Sequence, residues 1–105
     1  IDLVKATAVS SVKVHTMEQN GAWIYLPASI EVLTSKDGKI FTKAGSTTSY
    51  EEDNSGLGSS YMKVSFSPHT VRYIRVIAKN YGKIPENEPG AGNMAWLFID
   101  ELQVF

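Results

Sequence analysis

Hydrophobic and polar residues alternate with a period of two along most of the chain. In SVKVHT, Val12 and Val14 share one parity while their polar neighbours take the other. In SIEVLTS, Ile30 and Val32 repeat the pattern. Because successive side chains of a β-strand point to opposite faces, this alternation predicts strands with one buried and one solvated face.

The same alternation continues through three later segments. It runs through Met62, Val64 and Phe66 in YMKVSFSP, through Ile74, Val76 and Ala78 in VRYIRVIAKN, and through Phe98, Leu102 and Val104 in AWLFIDELQVF, where Asp100 interrupts it. The sequence shows no long segment with the 3.6-residue period of an α-helix. We therefore predict five or six strands and an all-β fold, an antiparallel β-sandwich in which residues 1–105 form one domain.

A turn signal separates two of the predicted strands. Asp37 and Gly38 follow Ser35 and precede Phe41, where the apolar pattern resumes. Residues of these types accept the positive φ angles of tight hairpin turns. The sequence therefore predicts a tight β-hairpin at this position.

Composition excludes several kinds of function. The chain of 105 residues has 10 basic and 11 acidic residues, a net charge of −1, and no stripe of Lys or Arg. Binding of nucleic acid through counterion release is therefore not expected. Cysteine is absent, which excludes disulfides and thiolate metal sites. No apolar run has the length of a membrane span, and the start at Ile1 on strand-like sequence is typical of a piece excised from a longer protein.

Three segments lack the alternation: residues 16–28, 46–60 and 80–95. The middle segment is rich in Ser, Thr and Gly and has an acidic trio at 51–53, which predicts a solvated connection. The two outer segments combine aromatic residues with Asn, Glu and Pro. Loops of this kind on a β-scaffold are typical of binding sites, so we expect a ligand to bind there.

Catalytic motifs are weak. His15 falls on the polar face of a predicted strand and His69 in a predicted turn, SPHT, and neither has a catalytic sequence context. Neighbouring glutamates in the loops show no opposed environments that would separate two pKa values. The glycine-rich GAGNMA is not followed by the Lys-Ser/Thr pair or the helix of a phosphate site. The sequence therefore predicts a non-catalytic domain that needs no cofactor.

A sugar site needs exposed aromatic rings with hydrogen-bonding side chains around them. The candidate aromatic platforms are Trp23, Tyr25 and Tyr81. Their candidate polar neighbours are His15, Asn20, Asn80, Asn87 and Asn93. The alternative role of a tryptophan in a small sandwich is core packing, which the pattern favours for Trp96 at the start of the last apolar strand. Packing is also favoured for Trp23, which precedes Ile24 and Leu26.

Two blocks of the sequence carry a family resemblance. The block IDLVKATAVSSVKVHTMEQNGAWIYLPASIEVLTSKDGKIFTKAG resembles the central part of the coagulation-factor type C, or discoidin, domain. The block VRYIRVIAKNYGKIPENEPGAGNMAWLFIDELQVF is similar to the closing segment of the version found at the C-terminus of family 20 glycoside hydrolases, the β-N-acetylhexosaminidases, of gut Bacteroidetes. Together the blocks are fairly specific, and the similarity spans nearly the whole chain.

This resemblance implies a jelly-roll β-sandwich of the galactose-binding-domain type, related to family 32 carbohydrate-binding modules. It implies a non-catalytic module of a secreted, periplasmic or cell-surface hydrolase. The implied partners are glycans containing galactose or N-acetylhexosamine and the catalytic domain of the same chain. The ligand-binding residues expected on this basis are His15, Trp23, Tyr25, Asn80, Tyr81, Asn87 and Asn93.

The chain departs from the family pattern at three places. Relatives begin with an additional N-terminal segment that supplies most of the calcium ligands. This domain is expected to lack that segment. Glu101 aligns with the family's late acidic ligand but has no visible partners, and no metal is predicted. Asn87 and Glu88 stand where relatives often have Trp-His, which leaves hydrogen bonds without a stacking face. Val4 stands where Gly is common, which predicts a turn without positive φ.

Three classes of function follow from the sequence. The first is a carbohydrate-binding module, the second is a structural accessory domain that packs against a catalytic domain, and the third is a free-standing enzyme. Exposure of Trp23, Tyr81 and Trp96 on one shared face would favour the first class, whereas their burial together with an exposed apolar patch elsewhere would favour the second. The enzyme class needs a titratable cluster, which the sequence does not show.

Overall fold

The computed structural model describes residues 1–52 and 58–105, which form an all-β fold built on an antiparallel sheet of six strands. The strands are β1 (Asp2–Met17), β2 (Ser29–Ser35), β3 (Thr42–Thr47), β4 (Glu51–Glu52), β5 (Ser59–Lys79) and β6 (Ile99–Val104). Their order is β3-β2-β5-β1-β6, with β4 paired to β5. The predicted all-β antiparallel class is confirmed. Within the described ranges, the structure has no helix that is long and apolar enough to cross a membrane.

Strand β5 is 21 residues long and joins the two parts of the sheet. Residues 59–73 pair with β1, and residues 73–79 pair with β2. The sequence predicts two separate strands here, and the structure joins them. The β1–β5 register shifts between Val9 and Ser11, opposite the part of β5 that contains Pro68. Because proline has no N–H for the ladder, it fits where the pairing is irregular.

The sheet bends so that β3 lies over the first part of β5. A Cβ placed on Gly45 would stand 2.9 Å from Val64 Cγ1, so only a residue without a side chain allows this approach. The buried side chains of the main core are Val9, Val12, Val14, Ile30, Val32, Met62, Val64, Val71 and Ile74. Each contributes roughly 1.5–3 kcal/mol relative to exposure. The inward faces predicted for β1, β2 and β5 are therefore confirmed.

The β2–β3 hairpin is present, but its turn is wider than predicted. Thr34 pairs with Thr42, which leaves residues 35–41 as a loop between them. Of the predicted turn pair, Gly38 has a positive φ of 77° and Asp37 does not. The prediction of a tight two-residue turn is therefore wrong, because Asp37 acts through its side chain.

Asp37 organises this loop with its carboxylate. Its Oδ1 accepts hydrogen bonds from the backbone N–H of Lys39 at 2.8 Å, the N–H of Ile40 at 3.0 Å and the hydroxyl of Ser35 at 2.9 Å. The bonds from Lys39, Ile40 and Ser35 hold the pKa of Asp37 below its ordinary value, because they favour the charged form. The loop is thus an ordered Asx turn.

The segment 46–60, predicted to be a solvated connection, is partly strand. Strand β3 extends to Thr47, β4 (Glu51–Glu52) pairs with β5, and β5 itself begins at Ser59. Asp53, the third residue of the acidic trio, lies outside the described residues. A strand of two residues has no measurable period, which is why the sequence pattern misses β4.

Val4 has a φ of 73°, in the left-handed region. This corrects the prediction of a turn without positive φ. Val4 lies inside β1, where the β1–β5 register shifts between Asp2 and Thr7, and Asp2 Oδ1 accepts hydrogen bonds from Val4 N–H at 2.7 Å and from Arg72 Nε at 2.9 Å. The Arg72 guanidinium and the Val4 N–H also lower the pKa of Asp2. The side chain of Val4 is exposed, so no core contact offsets its backbone strain of roughly 1–2 kcal/mol.

Candidate functional site

The two outer loops predicted to hold the site lie against each other. Trp96 N–H donates to Trp23 O at 2.8 Å, and Tyr25 N–H donates to Trp96 O at 3.2 Å. These bonds form a parallel bridge between Ile24 and Trp96. Because the pairing uses backbone groups, it fixes the relative position of the loops and leaves the two indoles available for other contacts.

Trp23 lies at the end of the 3-10 turn formed by Asn20–Ala22 and has a left-handed φ of 66°. Its indole packs on the second loop at Gly90, where an added Cβ would stand 2.6 Å from Trp23 Cδ1. Trp23 nevertheless remains 38% exposed. One side of the ring is therefore supported by the loop, and part of the residue faces solvent.

Tyr25 is 3% exposed, which corrects the expectation that its ring is a solvent-facing platform. Its hydroxyl donates to Pro89 O at 2.7 Å. Burial, followed by the charge of Glu88, raises the pKa of Tyr25 above its ordinary value. The Tyr25 ring stacks on that of Tyr81, with ring centroids 4.9 Å apart and Tyr81 43% exposed. Tyr25 therefore supports an exposed ring instead of being one.

A small second hydrophobic core packs against the two outer loops and anchors them. Tyr25, Ile84 and Ala95 are buried together. Ile84 N–H donates to Asn93 O at 2.8 Å, and Ala95 N–H donates to Gly82 O at 2.8 Å. The loop around residues 83–93 is therefore anchored on both sides by backbone pairing and by buried apolar contacts.

The predicted asparagines have different roles. Asn80 is used internally, since its Nδ2 donates to Ala95 O at 3.0 Å and its Oδ1 accepts from Gly82 N–H at 2.7 Å. Asn93 Nδ2 donates to Gly90 O at 3.1 Å. Asn87 is exposed and has a positive φ of 72°. The Oδ1 of Asn20 is buried and has no hydrogen-bond partner among the described residues.

His15 lies on the outer face of β1, and its contacts are with neighbouring strands. Its Nδ1 is 2.5 Å from Asp100 Oδ1 on β6, and its ring centroid is 4.7 Å from that of Tyr61 on β5. Lys13 Nζ also lies 4.3 Å from the Tyr61 ring centroid. These contacts place His15 on the β5–β1–β6 face of the sheet.

His69 lies in β5 and not in a turn, which corrects the prediction. Its Nδ1 is 2.9 Å from Ser67 O, an acceptor, so this nitrogen carries the proton and donates. Its Nε2 lies 2.9 Å from the Thr34 hydroxyl, within hydrogen-bonding distance. Both ring nitrogens hold the bend of β5 to β2, which is a structural role.

Trp96 is 65% exposed, so the prediction that it packs in the core is wrong. The alternation that follows it does mark a strand, β6, but this strand is at the edge of the sheet. Sequence reasoning thus missed Trp96 as a site residue and Gly90 as the support of Trp23. The signal available in the sequence was Gly90, which directly follows Pro89 in a loop that also leads to Trp96 and can therefore accept close packing of an aromatic ring.

The site therefore presents three exposed aromatic residues, Trp23, Tyr81 and Trp96, on two loops whose backbones are paired. Such an arrangement can stack on a flat apolar surface of a ligand. Across residues 1–52 and 58–105, no group of three or more His, Asp or Glu side chains is placed to hold a metal ion. A scan against protein-family models and a search of curated proteins found no match to the chain.

Proposed function

We propose that the chain is a non-catalytic carbohydrate-binding module with a jelly-roll, galactose-binding-domain-like architecture. The proposed partners are glycans containing galactose or N-acetylhexosamine and, in the same polypeptide, the catalytic domain of a secreted, periplasmic or cell-surface β-N-acetylhexosaminidase-type hydrolase. The module would hold that hydrolase on its substrate surface.

The observation that carries this proposal is the joint exposure of Trp23, Tyr81 and Trp96 on paired loops. Aromatic side chains that are buried in a core cannot stack on a pyranose ring, whereas these three are open to solvent. The packing alternative required burial of all three. Their exposure supports the binding role.

The rigidity of the loops gives a second line of support. The Tyr25 ring stacks on the Tyr81 ring, and Gly90 packs against the Trp23 indole. Rings that are held in place before the ligand arrives lose little conformational entropy on binding. Asn87 is an exposed polar side chain on the same loop and remains our proposed hydrogen-bonding neighbour. His15 remains a proposed contact, and Asn80 and Asn93 remain proposed contacts alongside the internal hydrogen bonds that their side chains make.

Calorimetric titration of the chain with galactose, N-acetylglucosamine and N-acetyllactosamine tests the proposal. We expect measurable binding of at least one sugar, and Trp96→Ala or Tyr81→Ala should weaken it by about five- to tenfold through loss of a stacking face. Tyr50→Ala, which removes an exposed aromatic outside the two loops, is the matched control and should bind as the parent does. Absence of heat and of retention on a glycan array would refute the module.

A second candidate is the accessory domain that packs against a catalytic domain without binding sugar. Exposed apolar side chains favour it: Met94, Phe98, Ile99, Leu102 and Phe105. Exposed apolar side chains that form one patch mark interfaces between domains or proteins. The two candidates differ in the titration, because the accessory domain binds none of the sugars. Hydrolysis of a chromogenic hexosaminide by the chain alone would support the enzyme class, and we expect none.

A further inference from the structure

Strand β6 has a free backbone edge. It pairs with β1 on one side, and no strand in the described part of the chain lies on its other side. Phe105 N–H donates to Ser11 O at 2.9 Å, and Phe105 O accepts from Ser11 N–H at 3.2 Å. Because backbone groups alternate in direction along a strand, Leu102 and Val104 direct their N–H and C=O groups away from β1.

The side chains of these two residues face the inside of the fold. Leu102 lies opposite Val14 and Val104 lies opposite Val12, and both valines are buried. Leu102 is nevertheless 38% exposed. It lines a groove of about 380 Å³ whose other walls are Ile1, Phe41, Tyr73, Ile74, Arg75 and Val76. An apolar side chain placed beside Leu102 would enter a largely apolar groove.

Glu101 and Gln103, which alternate with Leu102 and Val104, carry polar groups on the outer face of the sheet. Glu101 and Gln103 lie opposite His15 and Lys13, and Gln103 Nε2 donates to Glu101 Oε1 at 2.9 Å. Asp100 is also exposed on β6. The Asp100 carboxylate already contacts His15, so a strand added to this edge would meet the carboxylate of Glu101 on its outer side, which favours Lys or Arg.

We propose that the β6 edge binds an extended peptide strand of a partner protein by β-augmentation. The partner strand places an aliphatic or aromatic residue opposite Leu102 and basic residues on either side of it. Backbone groups of Leu102 and Val104 supply the pairing, the groove accepts the apolar side chain, and Glu101 selects the basic ones. This interaction is independent of sugar binding, because it uses β6 and not the paired aromatic loops.

The test is an NMR titration of the isotope-labelled chain with the peptide acetyl-Lys-Thr-Lys-Leu-Lys-Thr-Lys-amide. We expect shifts concentrated at the amides of Leu102 and Val104 and slower exchange of those amide hydrogens with solvent. A control peptide of the same composition, Lys-Lys-Leu-Thr-Thr-Lys-Lys with the same blocked ends, breaks the alternation and should cause neither effect. Absence of binding, or shifts spread evenly over other strands, would overturn the proposal.

Two variants of β6 sharpen the result. Leu102→Pro removes an N–H that points away from β1, so it should abolish peptide binding and leave the β1–β6 bonds intact. Glu101→Lys should weaken the basic peptide about two- to fivefold, the size of an exposed ion pair, and should improve binding of the same peptide with Glu in place of Lys. The comparison of the Lys and Glu peptides with Glu101→Lys tests the proposed strand binding even if Leu102→Pro fails to fold. Self-association of the parent chain that Glu101→Lys disrupts would assign the edge to a second copy and refute the partner strand.

Discussion

The indole of Trp23 rests on the α-carbon of Gly90. A methyl group at residue 90 would lie 2.6 Å from Cδ1 and 2.7 Å from Cγ of the indole. Gly90 also has a positive φ of 81°, which L residues rarely adopt. Together with the contacts of Tyr25 to Tyr81 and Pro89, this contact joins the two loops of the proposed site through side chains, in addition to their backbone pairing.

Gly90→Ala should therefore displace the Trp23 ring and weaken sugar binding by about tenfold, since one stacking face is lost. The displacement would appear as a change in tryptophan fluorescence, to which only Trp23 and Trp96 contribute. Calorimetry would measure the loss of affinity.

Gly92→Ala is the matched control for this substitution. Gly92 has a similar φ of 86°, but an added Cβ would meet no atom within 4 Å. Both variants carry the backbone strain of roughly 1–2 kcal/mol for a left-handed alanine, and only Gly90→Ala carries the clash. Equal losses of affinity in the two variants would show that the Trp23 contact does not shape the site.

Tyr25→Phe should destabilise the loop around residues 83–93. The substitution keeps the ring that stacks on Tyr81 and removes the hydroxyl that donates to Pro89 O. The thermal midpoint should fall by about 5 °C, the effect of one lost hydrogen bond in a domain of this size. Hydrogen exchange at Ala91 and Asn93 should become faster. Tyr50→Phe, at an exposed tyrosine outside the site, should leave both measurements unchanged, and a similar fall in that variant would contradict this account.

Asp37 gives the hairpin loop an acid dependence whose sign can be stated. Its pKa is lowered from the ordinary value of 3.8, so its contribution to stability is present above that value and is lost as the pH falls through the lower, folded-state pKa. Asp37→Asn keeps an acceptor oxygen without the charge. Urea midpoints measured between about pH 6 and about pH 2 should therefore fall less steeply with acid in this variant than in the parent. Parallel curves would show that Asp37 does not account for the slope.

Val4→Gly should stabilise the protein. Valine at a φ of 73° carries roughly 1–2 kcal/mol of strain, whereas the greater freedom of glycine in the unfolded chain costs about 0.5–1 kcal/mol. A net gain of about 0.5–1 kcal/mol is expected in denaturant unfolding. Ala6→Gly, at an exposed residue of the same strand without positive φ, should instead be destabilising. A loss of stability in Val4→Gly would mean that this irregular part of β1 tolerates valine without strain.

The sequence pattern predicts strands well where one face of the sheet is covered. Val12, Val14, Ile30 and Val32 alternate with polar residues and are buried as expected. The same pattern in the last strand predicts burial that does not occur, because alternation shows which residues share a face and not whether that face is covered. The sequence therefore predicts core packing for Trp96, which opens this strand's pattern, although its side chain is exposed.

The candidate site was predictable at the level of loops and less so at the level of residues. Tyr81 is exposed in a loop that the aromatic and turn residues indicate, whereas Trp23, for which the sequence favours packing, is also exposed although its indole packs on Gly90. Tyr25 could not be told from them, because its burial depends on Ile84 and Ala95, which lie some sixty or more residues further along the chain. The roles of Asn80 and Asn93 likewise depend on backbone partners that only the folded chain supplies.

The length of β5 sets the order in which the chain can assemble. Its first part needs β1, the most N-terminal strand, and its last part needs β2, so both pairings wait until residues 59–79 are available. Of the described pairings, β2–β3 and the two-residue β4–β5 pairing join strands that are adjacent in sequence with a short connection. Such non-local topology closes long loops before it gains contacts, which places folding in the range of milliseconds to seconds. During synthesis, β1 and the β2–β3 hairpin must therefore remain without their central strand until β5 leaves the ribosome.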